Sequence, residues 1–131
     1  MWGSTYESHL SNLITQQKRI IRLISDARYL DHTSPLFHSL NLLKFKDIYR
    51  YYVAIYMFKN IESFRPIHNL NTRSRDLALP SFNRLTLCQH SITFNGPKIW
   101  NDIPSDLRNL DSLNIFKSRL KSYFISHYSQ R

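Results

Sequence analysis

The chain has 131 residues, the size of one domain, and its 42% of hydrophobic residues can supply a core. Eighteen Lys and Arg against nine Asp and Glu give a formal charge of +9, which repels basic partners and attracts phosphate-bearing polyanions. A single cysteine excludes an internal disulfide framework, and no apolar run approaches the roughly 20 residues of a membrane span.

With two glycines and five prolines, the composition favours helices over a turn-rich sandwich or barrel. The predicted fold is mainly α, a small helical domain over residues 1–131 with a central apolar helix and a short two-stranded β element. The opening MWGSTYESH lacks the basic-then-apolar pattern of a signal peptide, which points to an intracellular location, nucleus or cytoplasm.

Ser4 and Glu7 have capping-box spacing. Behind them Leu10, Leu13, Ile14, Ile21 and Ile24 recur at helical steps, interrupted by Gln17, and predict an amphipathic helix over 6–28. Lys18, Arg19 and Arg22 fall on the side away from that stripe. They read either as a solvated face or as a phosphate-contacting one. Near 31–40, Thr33 or Ser34 can cap a short helix with Pro35 in its first turn. His32 has no readable nucleophile or acid beside it and is taken as a cap or loop residue.

Residues 44–60 form the most apolar segment, with Phe45, Ile48, Tyr49, Tyr52, Val53, Ile55, Tyr56, Met57 and Phe58. Apolar on most sides, it is predicted as the central helix against which the first and last helices pack. Its tyrosines suit a core or, alternatively, a stacking platform for unpaired bases. Residues 61–104 are read as irregular with a strand pair. Ile92 and Phe94 alternate with Ser91 and Thr93 as in a strand, with Leu77 and Leu79 as its partner. Asn95-Gly96-Pro97 would end the strand in a turn, and Trp100 would enter the core. Arg73, Arg75 and Arg84 beside Thr72 and Ser74 suit phosphate contacts by forked guanidinium groups.

Cys88 and His90 lack a second pair of ligands at zinc spacing, so no metal or other cofactor is expected. Ser105 is placed to cap a brief turn. Ser112 precedes a last helix, 112–127, with a stripe of Leu113, Phe116, Leu120 and Phe124. Lys117, Arg119 and Lys121 add charge to it, which also complements the helix dipole.

The order S-I-x-F-x-G-P-x-x-W-N-x-I-P over 91–104, followed by Leu113-x-x-Phe116-Lys117-x-x-Leu120-Lys121, resembles the tail of non-LTR (LINE-type, jockey-like) retrotransposon reading frames. W-G-S-T at 2–5, Q-K-R-x-I-R at 17–22, H-T-S-P-L-F at 32–37, N-T-R at 71–73 and L-x-L-P at 77–80 extend the resemblance over nearly the whole chain. In that family the segment follows the reverse transcriptase fingers, palm and thumb. The paired aspartates that hold magnesium on the polymerase palm have no counterpart, and there is no room for an endonuclease. The resemblance therefore implies a non-catalytic segment, with Met1 standing directly before the family's W-G-S-T.

Two functions follow as expectations. One is accessory binding of RNA or DNA by backbone contact, through Lys18, Arg19, Arg22, Arg73, Arg75, Lys117, Arg119 and Lys121. The other is a structural module that docks on the absent polymerase core or on a protein partner, with an exposed apolar patch around Trp2, Tyr6 and the first helix. A relic without function is the remaining possibility. A membrane-surface role ranks below these, and an independent enzyme ranks last.

Overall fold

The computed structural model describes residues 7–64, 78 and 91–128. Six α-helices occur among the described residues. They are α1 (Glu7–Ile24), α2 (Thr33–Ser39), α3 (Phe45–Asn60), α4 (Ile92–Asn101), α5 (Ser105–Arg108) and α6 (Leu113–Ser126), with a 3-10 turn at Ile61–Phe64 after α3. None is long and apolar enough to cross a membrane. The chain divides into two compact units, one of Met1–Tyr49 with Ser118–Arg131 and the other of Arg50–Lys117.

In the first unit α1 stops four residues short of the predicted end at 28, for a local reason. Asp26 adopts φ 48°, Ala27 N–H donates to the Arg22 carbonyl at 2.9 Å and Asp26 N–H to that of Leu23 at 3.4 Å. That is a Schellman closure with aspartate in the left-handed position. The end of α2 repeats it: Asn41 has φ 53°, and Leu42 N–H reaches the Phe37 carbonyl at 3.0 Å. The start of α2 differs from expectation. His32 is the N-cap and supplies no side-chain bond, while Thr33 is the first helical residue and is buried. α1 packs on α2. Ile21, Phe37, Ile125 and Tyr128 form the core there, backed by Leu36, Leu40 and Leu43. The Phe37 and Tyr128 rings meet edge to face at 6.3 Å.

The second unit overturns the strand expectation. Ser91–Phe94 does not extend. Ser91 is an N-cap, and Ile92 opens α4, which runs through Asn95, Gly96 and Pro97 to Asn101. An alternation of two apolar residues fits either period, and here Gly96 and Trp100, four apart, share the buried face of a helix. Pro97 has no N–H to reach the Thr93 carbonyl, a loss that costs less because Thr93 is exposed. The intended partners Leu77 and Leu79 lie outside the described residues. Between them, Ala78 pairs its N–H and C=O with the Asn101 amide, each at 3.0 Å. No strand occurs among the described residues.

Trp100, Phe116 and Phe58 form this unit's aromatic centre. Phe58 stacks on Phe116 at 4.5 Å between centroids, and Trp100 meets both at about 6 Å. Val53, Ala54, Ile55 and Met57 of α3 are buried, but Tyr52 and Tyr56 are 65% and 42% exposed. α3 is therefore not apolar-packed on every side. Pro104, not Ser105, is the N-cap of α5. Ser112 gives its carbonyl to the first bond of α6, from Phe116 N–H at 2.9 Å.

Candidate nucleic-acid interface

Gln17 breaks the apolar stripe of α1, and the structure puts it to use. Its Oε1 accepts from Phe45 N–H at 2.8 Å and its Nε2 donates to the Leu43 carbonyl at 3.0 Å. One amide thus ties the segment before α3 to α1. The next residue, Lys44, is held three times: its N–H donates to the Tyr128 hydroxyl at 3.0 Å, its Nζ donates to Ser34 Oγ at 2.9 Å, and the Nζ lies 4.2 Å over the Tyr128 ring. Tyr128 in turn donates its hydroxyl proton to Asp47. Burial, then the bond to Asp47, pushes the Tyr128 pKa well above the usual tyrosine range, against a smaller lowering by the Lys44 N–H. The hydroxyl therefore stays neutral and brings no second negative charge.

These ties shape a cleft of about 780 Å³ in the first unit. Lys18 comes from α1, His32 and Ser34 from the start of α2, Lys44 from just before α3, Lys46 and Asp47 from its first turn, and His127 from just past the end of α6. Three lysines face one carboxylate. Among the described residues no group of three or more His, Cys, Asp or Glu could hold a metal ion.

The sequence-named cations distribute as follows. Lys18 and Arg19 are exposed on α1, and Lys18, Arg19 and Arg22 share an arc of roughly 100° on that helix. Arg22 also has a structural duty, since its Nε donates to the Asp31 carbonyl at 3.1 Å and its guanidinium lies 5.8 Å from the Tyr29 ring. On α6, Lys117 and Lys121 are half-buried one turn apart, while exposed Arg119 points to the far side, roughly 160° to 200° around the helix. These three do not make one basic face. Arg73 and Arg75, with Arg84, Thr72, Ser74, Cys88 and His90, lie outside the described residues, as do Trp2, Ser4 and Tyr6.

Sequence reasoning passed over Lys44 and Lys46, which looked like the polar edge of an apolar helix. The available signal was Gln17, a bonding amide where a core side chain was due. Two further exposed features stand out. On α1, Leu13, Ile20, Leu23 and Ile24 are 50–83% exposed beside buried Leu10 and Ile21. On α3, Tyr52, Tyr56 and Lys59 share one exposed face at steps of four and three. No protein-family model, curated protein or solved structure matches the chain.

Proposed function

We propose that this chain is a non-catalytic nucleic-acid-binding segment that grips RNA or DNA by its phosphates, of the kind that follows the polymerase in non-LTR retrotransposons. The observation that carries the reading is the gathering of cations in the first unit: Lys18, Arg19 and Arg22 on one arc of α1, and Lys44 and Lys46 with Lys18 around one cleft. Cations so placed act as point charges on a phosphate backbone, giving affinity without sequence readout. Tyr52 and Tyr56 add rings that can stack on unpaired bases. The test is equilibrium binding of labelled RNA to the wild type and to a Lys18→Glu/Arg19→Glu variant. Both positions are exposed, so the fold is kept. A loss of roughly tenfold or more at low salt supports the reading, and unchanged affinity defeats it.

The exposed row Leu13, Ile20, Leu23 and Ile24 favours a second reading, docking of α1 on a polymerase core or another protein. Its test is sedimentation. Association that disappears with Ile20→Lys/Leu23→Lys favours docking, and a monomer that binds nucleic acid as well as before leaves the phosphate-gripping reading alone.

A further inference from the structure

We infer that the first-unit cleft is a proton-linked phosphate site, in which His32 and His127 become cationic contacts beside Lys18 as pH falls. The inference rests on the nucleic-acid reading above and adds to it the regulation of the same site. Both imidazoles line the cleft, one from the start of α2 and one from just past the end of α6, and both are exposed. Expected only as a cap or loop residue, His32 holds the N-cap position but makes no side-chain cap bond, so its ring is not committed to α2. His127 is held more closely. Its Nδ1 lies 2.8 Å from the Tyr123 carbonyl, and its ring meets the Tyr123 ring edge-on at 4.6 Å. A carbonyl only accepts, so Nδ1 carries the proton of the neutral ring and Nε2 is the nitrogen that takes a second one. The donor gained on protonation is therefore Nε2–H.

The charges facing the two rings set the sign of the coupling. Lys18 comes from α1, Lys44 from before α3, and Lys46 and Asp47 from its first turn. Asp47 accepts from the Tyr128 hydroxyl, which is neutral, and Asp31, next to His32 in the chain, accepts from Arg28 N–H at 2.8 Å. The cleft is thus positive before either imidazole is charged. A phosphate bound among these cations favours the charged form of both rings. Proton and phosphate therefore bind together, each raising the affinity of the other by the same factor. Histidine is the side chain whose charge changes between about pH 5 and 8, so the coupling acts near neutrality.

The experiment measures the affinity of labelled RNA without a terminal phosphate, whose charge is constant over the range, at about pH 8 and about pH 5.5 in low salt. Each protein is compared with itself, as the ratio of the two affinities. Wild type should bind roughly tenfold tighter at the lower pH, with a salt slope steeper by about 1.4 for two added contacts at ~0.7 each. His32→Gln/His127→Gln should bring the ratio below about twofold. His38→Gln, at an exposed position of α2 outside the cleft, should keep the wild-type ratio. His32→Gln alone breaks no cap bond, should remove about half of the change in slope, and serves if the double variant fails to fold. RNA should also move the imidazole signals of His32 and His127 at the lower pH, and leave that of His38 in place. A ratio near one in the wild type overturns the linkage and leaves the phosphate-gripping reading standing. A tenfold ratio that survives the double substitution also overturns it, since the proton then binds elsewhere. Wild type that binds RNA at neither pH overturns both.

Discussion

Asn101 Nδ2 donates to the Ala78 carbonyl and Oδ1 accepts from the Ala78 N–H, so one side chain satisfies both backbone groups of a buried residue 23 positions away. Asn101→Asp keeps the shape but loses the donor and sets a charge against a carbonyl. Chemical denaturation should show a loss of about 2 kcal/mol, and an unchanged midpoint would contradict the clamp. Gly96 was expected in a turn that ends a strand, but it lies inside α4 without positive φ. What requires it is space, because a Cβ there would lie 2.7 Å from Met57 Sδ, on a side chain with no exposed surface. Gly96→Ala should cost about 1–3 kcal/mol by the same measurement. Tyr128 supplies a pH test. Its raised pKa means that its stabilisation is whole below the unfolded tyrosine value of about 10 and is lost as pH rises through the higher folded value. The stability gap between wild type and Tyr128→Phe should therefore narrow on the alkaline side of about pH 10, and a constant gap would contradict it. Neither Asn101 nor Gln17 announced its partner in the sequence, because a carboxamide bond across tens of residues leaves no periodic trace.

At the scale of elements, helices α1, α3 and α6 were legible from apolar spacing, and their ends fell within a few residues of where the pattern placed them. The exception is α1, which was predicted to run to 28 although its apolar stripe ends at Ile24, where the Asp26 closure ends the helix. The segment around Trp100 was misread because two alternating residues cannot separate period 2 from period 3.6, and Asn-Gly-Pro carries turn chemistry that burial against Met57 overrides. Trp100 itself was placed correctly: it is 3% exposed and packs on Phe58 and Phe116. Trp100→Ala should cost about 3–5 kcal/mol in a thermal or denaturant melt, and a loss below about 1 kcal/mol would contradict its place at the centre. The other surprise is α3, whose Tyr52 and Tyr56 lie in solvent with Lys59. If they stack on bases, Tyr52→Ala/Tyr56→Ala should weaken single-strand binding by about 1–3 kcal/mol per lost stack, with an unchanged circular dichroism spectrum. Equal affinity would assign the tyrosines to solvent alone.

For the whole molecule, the excess of positive charge was legible from composition, but its arrangement was not. A sequence orders cations along one helix and cannot show which helices share a surface. Lys18, Arg19 and Arg22 share one arc of α1, Lys117, Arg119 and Lys121 were grouped although they diverge around α6, and the gathering of Lys44 and Lys46 with Lys18 around one cleft was not foreseen. The central claim is that Lys18, Arg19, Arg22, Lys44 and Lys46 bind phosphate. It is tested most directly by the salt dependence of binding to single-stranded RNA. Five phosphate contacts at ~0.7 each predict a straight fall of log affinity against log salt with a slope near −3.5. A slope close to zero, or no binding at low salt, would contradict the claim and leave the exposed face of α1 as the surface to pursue.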